Sequence, residues 1–76
     1  IQIETYFLDE LDIEIEIKDY ENDKVIGSLK TNSKKGINSF IVKTEKLEKG
    51  KSYSVQISYQ GDGKSGSFSN GFVSKH

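Results

Sequence analysis

Apolar and polar residues alternate strictly in two stretches of the chain. In one stretch the apolar row alternates with charged residues: Leu11, Ile13, Ile15 and Ile17 against Asp12, Glu14, Glu16 and Lys18. In the other it alternates with small polar residues: Tyr53, Val55, Ile57 and Tyr59 against Ser54, Gln56 and Ser58. A period of two is typical of a strand with one face on a core and the other in water. A helix is the competing interpretation, but it would spread these isoleucines around its whole surface.

Four further stretches read as strands, because they are rich in β-branched and aromatic residues. They are Ile1–Phe7, Lys24–Leu29, Ile37–Thr44 and Ser65–Val73. We expect one row of each strand to face the core: Ile1, Ile3, Thr5 and Phe7; Val25, Gly27 and Leu29; Phe40 and Val42; and Phe68 and Phe72. Ile41 would then face out or be covered by a neighbour. We expect the first strand to lie at a sheet edge. Asn70–Gly71 predicts a bulge or a bend in the last strand.

Turn-forming residues separate these strands about every ten residues, which is the rhythm of an all-β sandwich or barrel. Tyr20–Asp23 predicts a turn, Thr31–Gly36 a polar loop and Glu45–Ser52 a longer corner. Gly61–Lys64 predicts a tight hairpin, since glycine and aspartate tolerate the positive φ angles that such turns need. We therefore predict a single all-β domain over residues 1–76, with no internal linker and no repeat.

The corner carries a family resemblance. Leu47, Gly50, Tyr53, Val55 and Ile57 keep a Leu-x-x-Gly-x-x-Tyr-x-Val-x-Ile spacing. This spacing resembles the corner between strands E and F of fibronectin type III modules and of bacterial immunoglobulin-like modules. The resemblance implies an immunoglobulin-like antiparallel β-sandwich of six or seven strands. It also implies that Tyr53 is the corner tyrosine, with its hydroxyl bonded to the backbone between Leu47 and Gly50.

A second stretch, Ile13–Leu29, is similar to the hairpin between strands B and C of the bacterial modules, through its acidic turn and Val25-Ile26-Gly27. The chain departs from the fibronectin pattern because it has no tryptophan on the candidate B strand and no proline. It is also short for such a module, which is consistent with a trimmed sandwich.

Composition narrows the classes of partner. The chain has 11 basic and 12 acidic residues, and the basic residues are all lysine, so its charge favours neither nucleic acid nor an anionic membrane. It has no cysteine, and no stretch approaches the roughly 20 apolar residues of a membrane span. The absence of alanine and proline with abundant isoleucine and lysine is typical of A/T-rich coding, which indicates a bacterial or phage source. Because it begins at Ile1, we expect a processed protein or an excised module. His76 is either native or the first residue of a purification tag.

Two combinations of residues suggest catalysis at first sight. Gly63-Lys64-Ser65 is similar to the end of a phosphate-binding loop, but Ser58 stands where that loop needs its first glycine, and a strand follows in place of a helix. A nucleophilic Ser65 would need a base. His76 lies at the terminus, and an exposed Lys64 keeps its proton. We therefore predict that the protein is not an enzyme, with no catalytic, cofactor-binding or metal-binding residue and no cofactor.

Carboxylates cluster in two turns: Asp9, Glu10 and Asp12, and Asp19, Glu21 and Asp23. Neither has the Asp-x-Asp-x-Asp-Gly spacing of a dedicated calcium loop, so solvated turns are the favoured interpretation and a weak structural calcium site is the alternative. As a glycosidase pair these acids lack a neighbour that would raise one pKa.

Three other features are weaker signals of binding. Glu14 and Glu16 are expected on a solvated face, across from Lys43 if their strand pairs with Ile37–Thr44. Ser65, Ser67 and Ser69 form a polar row that could accept an added strand or a sugar, although most edge strands look like this. Tyr6 and Tyr20 are the aromatic residues least tied to the core. A sugar could stack on them, but packing in the core or a turn is favoured because no tryptophan supports a carbohydrate platform.

The leading functional hypothesis is a non-catalytic, immunoglobulin-like module of a larger extracellular or cell-surface protein, acting as a spacer or protein-interaction domain. The alternative is a small stand-alone secreted protein that binds or inhibits a protein partner through the loops Thr31–Gly36 and Gly61–Lys64. Carbohydrate binding by a sheet face is a third hypothesis. Ile1–Phe7 could also pair with a second copy of the chain.

Overall fold

Two antiparallel sheets form this protein in the computed structural model, which describes residues 1–75. The six strands are β1 (Gln2–Phe7), β2 (Asp12–Asp19), β3 (Val25–Asn32), β4 (Gly36–Ile41), β5 (Ser52–Gly61) and β6 (Lys64–Val73). Within the described residues there is no helix. The predicted all-β antiparallel sandwich of six or seven strands is therefore confirmed, with six strands in two sheets. His76 lies outside the described residues.

The small sheet contains β1 and β4, and the large sheet has the order β3-β2-β5-β6. The two alternating stretches of the sequence lie side by side as β2 and β5, so that Ile15 is opposite Ile57 and Ile13 is opposite Tyr59. The core lies between the sheets and is built from one row of each alternation: Phe7, Leu11, Ile13, Ile15, Ile17, Phe40, Val42, Tyr53 and Ile57. Burial of these rows on a common side explains why the sheets face each other.

β4 behaves as its sequence predicts, with Phe40 buried, Val42 buried and Ile41 in solvent. It ends at Ile41, before the predicted Thr44, because the chain then crosses to the other sheet. There Thr44 forms an isolated bridge with Gly27, and the Glu45 amide donates a hydrogen bond to the Ile26 carbonyl at 2.9 Å. This crossing closes the side of the sandwich between β4 and β3. The predicted Thr31–Gly36 loop is shorter than expected, since strands take both of its ends.

A bulge in the β2–β3 pair corrects one predicted face. Ile17 pairs with Gly27, but Lys18 pairs with Val25, so Ile26 is an extra residue on β3. An extra residue moves the following side chains to the opposite face. Ile26 consequently packs against the core, and Val25, which was predicted to face inward, is exposed.

Asn70–Gly71, predicted to form a bulge or a bend, does not interrupt the pairing of the last strand. β5 and β6 pair without a break from Gly61 opposite Lys64 to Ser52 opposite Val73. Phe72 follows its prediction, because it packs against the core and stacks on the Tyr53 ring with centroids 5.7 Å apart. Phe68 lies on the same face but is 43% exposed, since β6 is the outer strand of its sheet.

The hairpin predicted over Ile13–Leu29 is present, because β2 and β3 are antiparallel neighbours in one sheet. Its comparison with strands B and C does not hold, since those two strands lie in different sheets of an immunoglobulin fold. The pairing of β2 with β4 that would have placed Lys43 across from Glu14 or Glu16 does not occur, and Glu14 lies between Lys30 and Ser58. The Lys30 ammonium is 3.4 Å from the Glu14 carboxylate.

Both predicted turns of β5 are confirmed. At its start the Glu48 amide donates a hydrogen bond to the Tyr53 hydroxyl at 2.8 Å, within the predicted stretch between Leu47 and Gly50. At its end Asp62 and Gly63 have φ angles of 50° and 72° and form a two-residue hairpin. Positive φ at both central positions is the signature of a type I′ turn, whose twist matches that of the strands it joins.

Candidate protein-interaction surface

The outer face of the small sheet carries large apolar side chains at both ends, with the exposed polar residues Gln2, Glu4 and Ser39 among them. Tyr6 on β1 lies directly opposite Ile37 on β4, and Ile41 lies at the other end of the same face. Tyr6 is 62% exposed, Ile37 69% and Ile41 70%, while Leu8, just beyond the end of β1, is 65% exposed. Clustered large apolar side chains in water mark interaction surfaces more often than isolated ones do. We call Tyr6, Leu8, Ile37 and Ile41 the apolar face.

Part of this face is visible in the sequence. Tyr6 was singled out as loosely tied to the core, and Ile41 was predicted to face out. Ile37 and Leu8 were missed as candidates. Ile37 has the same parity as Ile41 along β4, so the inward phase of Phe40 and Val42 already required it to face out. Tyr6 lies on the same face as Ile37 and Ile41 because β1 pairs with β4. The alternation of apolar and polar residues does not specify that pairing.

β1 also presents an unpaired edge. Ile1 and Val42 exchange two backbone hydrogen bonds, at 2.7 and 2.8 Å, so the odd-numbered residues of β1 point their backbone groups at β4. In an antiparallel ladder the alternate residues point the other way. The N–H and C=O groups of Gln2, Glu4 and Tyr6 are therefore directed to the free side of β1, where no strand of the described residues pairs with them.

An apolar groove runs beside this edge. It lies between β1 and the end of β6, has a volume of about 390 Å³, and opens to solvent. Its apolar walls are contributed by both sheets and by the corner before β5: Ile1, Ile3, Leu47, Val55, Phe72 and Val73. The opposite side of the sandwich, between β3 and β4, is closed by the bridge between Thr44 and Gly27. The sandwich is therefore closed on the β3–β4 side and open at the groove on the β1–β6 side.

The predicted carboxylate clusters have partners within the chain. Asp9 accepts a hydrogen bond from the Lys64 ammonium at 2.6 Å, and Asp12 accepts one from the Asn32 side-chain amide at 2.7 Å. Asp19 is buried and lies 2.7 Å from the Lys51 ammonium. Within residues 1–75, no group of three or more acidic or histidine side chains is arranged to hold a metal ion.

These ion pairs shift the pKa of their members. The hydrogen bond from Lys51, which exceeds the opposing effect of burial, lowers the pKa of Asp19 from its ordinary value, and the Glu21 amide adds to it at 3.0 Å. The same hydrogen bond raises the pKa of Lys51. The hydrogen bond to Asp9 likewise raises the pKa of Lys64. Lys64 is thereby held in its charged form, which is unsuited to a base for Ser65.

The remaining candidates lie apart from one another. Ser65, Ser67 and Ser69 are exposed on the outer face of β6, and Tyr20 is exposed in the turn after β2. On the outer face of the large sheet a shallow hollow of about 500 Å³ includes Asp12, Glu14, Lys30 and Asn32. These four groups bond to each other in pairs across the strands.

The two loops that the sequence offered as contact loops come together. Lys35 and Asp62 line one hollow of about 490 Å³ with Leu8, Asp9 and Glu10 at the end of the sandwich. Ser33 fixes this end, since its hydroxyl accepts from the Leu11 amide and donates to the Asp9 carbonyl, both at 2.9 Å.

Comparisons with known proteins found no match to any family model, curated protein or solved structure. Residues 1–75 contain no helix that is long and apolar enough to cross a membrane.

Proposed function

We propose that the chain is a non-catalytic, immunoglobulin-like module of a larger extracellular or cell-surface protein, in which it serves as a protein-interaction domain or spacer. The observation that carries the proposal is the apolar face, where Tyr6 and Ile37 meet across the strands with most of their surface in water. Exposed apolar side chains of this size lower solubility, so a protein that covers them is the natural occupant.

The corner at Tyr53 and the order of the strands support the immunoglobulin-like type. The hydrogen bond between the Glu48 amide and the Tyr53 hydroxyl has the form of a tyrosine corner. If β5 is strand F, the sheet β3-β2-β5-β6 corresponds to C′-C-F-G and the pair β1-β4 corresponds to B-E. This assignment replaces the B-to-C hairpin that the sequence suggested.

The non-catalytic part of the proposal rests on how the polar groups are used. The buried Asp19 is neutralised by Lys51, and the buried Asn38 side chain bonds to the Lys34 and Gly36 backbone at 2.8 to 3.0 Å. Such groups stabilise turns rather than present a free base or nucleophile to a substrate.

Sequencing the gene on both sides of this segment tests the module proposal. We expect an export signal and further β-rich modules or a wall anchor in the same reading frame. A reading frame without an export signal, or one that holds only an export signal, this segment and a stop codon, would contradict it.

The complete gene product then allows a test of the apolar face. Ile37→Lys should abolish cross-linking between this module and the neighbour or partner that covers the face, because a buried lysine without a partner charge is costly. Ser67→Lys is the matched control, since Ser67 is exposed on the outer face of the other sheet. Equal cross-linking in both variants would place the contact elsewhere.

A second candidate is a stand-alone secreted binder that uses the end of the sandwich. The convergence of Lys35 and Asp62 in one hollow favours it. An export signal followed directly by this segment and a stop codon would support this candidate over the module. Asp62→Lys should then weaken the complex with its target, whereas Ile37→Lys should not.

A further inference from the structure

From the free edge of β1 and the groove beside it, we infer that the small sheet binds an extended segment of a partner protein as a third strand. The inference rests on the proposed interaction role and adds to it a site and a class of ligand. The ligand is a peptide strand with aliphatic side chains at alternate positions and polar or basic side chains between them. Its backbone pairs with β1, and its aliphatic side chains enter the groove.

The backbone groups of β1 supply the first part of the recognition. The N–H and C=O groups of Gln2, Glu4 and Tyr6 form a row of donors and acceptors that repeats at every second residue. An added strand satisfies such a row along its length, whatever its sequence. The small sheet has only two strands, and a third strand would stabilise it.

The groove supplies the second part. A volume of about 390 Å³ holds roughly two or three aliphatic side chains at the packing density of protein interiors. Side chains of a strand that pairs with β1 alternate between the outer face and the groove, so positions i, i+2 and i+4 would meet Ile3, Val55 and Phe72.

A second copy of this chain does not fit the groove with its own β1. In the folded chain the inward row of β1 is already used, with Phe7 buried and Ile3 packed against the core. Two β1 edges could pair, but neither strand would have free apolar side chains to place in the other groove. The occupant must be extended and have an unused apolar row, which a folded copy lacks.

Charge selects the residues that alternate with the apolar row. Glu4 lies at the centre of β1, is exposed, and has no ion pair among the described residues. A lysine on the added strand opposite Glu4 would form a favourable cross-strand pair.

The test uses a labelled peptide of about nine residues that alternates lysine or threonine with valine or isoleucine. Its binding is followed by fluorescence polarisation, and amide hydrogen exchange is followed by NMR. We expect saturable binding, with slower exchange at the amides of Gln2, Glu4 and Tyr6. A peptide of the same composition with its aliphatic residues adjacent should bind about tenfold more weakly or not at all.

Glu4→Pro distinguishes strand pairing at the edge of β1 from nonspecific hydrophobic binding. Its missing N–H faces away from β4, so the β1–β4 ladder is kept while the free edge is blocked. We expect a loss of affinity of about tenfold or more. Ser67→Pro is the matched control, because the Ser67 N–H faces the free edge of β6, and it should bind the peptide as the wild type does. Val73→Ser, at an exposed position of the groove wall, should weaken binding without unfolding the protein.

Several results would overturn the inference. They are equal binding by Glu4→Pro and the wild type, loss of binding in Ser67→Pro alone, or absence of binding by the alternating peptide. Slow exchange at Gln2, Glu4 and Tyr6 without peptide would show that the edge is already occupied, by a second copy if sedimentation shows a dimer. None of these results decides the module proposal, which is tested separately by the gene context and by the Ile37→Lys variant.

Discussion

At the scale of single residues, Tyr53 is the side chain whose hydroxyl and ring have separable roles. The ring is buried and stacks on Phe72, and the hydroxyl accepts the Glu48 amide at 2.8 Å. Tyr53→Phe keeps the ring and removes the acceptor. We expect the free energy of unfolding to fall by about 1 to 3 kcal/mol, because the Glu48 amide loses its partner in a partly buried place. Urea denaturation with unchanged m-value would measure it.

Tyr59→Phe is the control for that change. Tyr59 also packs on the core from β5, and the structure gives its hydroxyl no hydrogen bond within the described residues. We expect a change within about 0.5 kcal/mol. If both variants lose the same stability, the corner hydrogen bond does not contribute as described.

Asp19 makes stability depend on pH. Its folded-state pKa is lowered, chiefly by the hydrogen bond from Lys51, so its contribution is present above the pKa of the unfolded state, about 3.9. The contribution is lost as pH falls through the lower folded value. Asp19→Asn should therefore be less stable than the wild type near neutral pH, and the gap should shrink below about pH 4.

Urea midpoints of both proteins from about pH 7 to about pH 2.5 would measure this gap. A constant gap over that range would contradict the assignment. Lys51 has the opposite effect at high pH. Because its folded-state pKa is raised, its contribution to the free energy of unfolding is present at neutral pH and is lost as pH rises through that pKa.

At the scale of elements, the crossing of the chain over β3 depends on one glycine. A Cβ atom at Gly27 would lie 2.5 Å from the Lys43 carbonyl oxygen and 2.7 Å from the Thr44 side chain. Gly27→Ala should therefore push the Lys43–Thr44 segment away and reduce stability by about 1 to 3 kcal/mol. Thermal unfolding followed by circular dichroism would show a lower midpoint.

Gly71→Ala is its matched control on another strand. A Cβ there would lie 3.7 Å from the nearest atom, the Tyr53 carbonyl oxygen, which is an ordinary contact. We expect no loss, or a gain of up to about 1 kcal/mol, because alanine restricts the unfolded chain. Equal losses of stability in both variants would mean that the close approach of Lys43 and Thr44 to Gly27 does not cause the loss.

The strands themselves were predictable, because a period of two is a local property of the sequence. Leu11–Ile17 and Tyr53–Tyr59 each carry enough alternation to fix both type and face. The bulge in β3 could not be predicted, because Ile26 is an extra residue only in relation to the strand that pairs with it. At Asn70–Gly71 the sequence predicted a bulge or a bend, but the pairing there is unbroken. Both residues tolerate a bulge, but the tight Asp62–Gly63 hairpin keeps β6 in register with β5.

At the scale of the whole molecule, strand neighbours depend on long-range packing that alternation does not encode. Glu14 suits a solvated row beside Lys30 or Lys43 equally well, and the pairing of β2 with β3 decides between them. The apolar face shows the same limit. Tyr6 and Ile41 could be recognised as outward-facing from their phase, but the contact of Tyr6 with Ile37 exists only because β1 pairs with β4.

The proposed interaction role requires the outer face of the small sheet to be bare in the isolated protein and available to a partner. Solvent paramagnetic relaxation of isoleucine methyl groups in NMR measures this directly, with controls in the same molecule. Ile37 and Ile41 should relax strongly with a soluble paramagnetic agent, because they are 69% and 70% exposed, while the fully buried Ile15 and Ile17 should not. If the methyl groups of Ile37 and Ile41 are as protected as that of Ile15, the face is already covered and is not free to bind a partner.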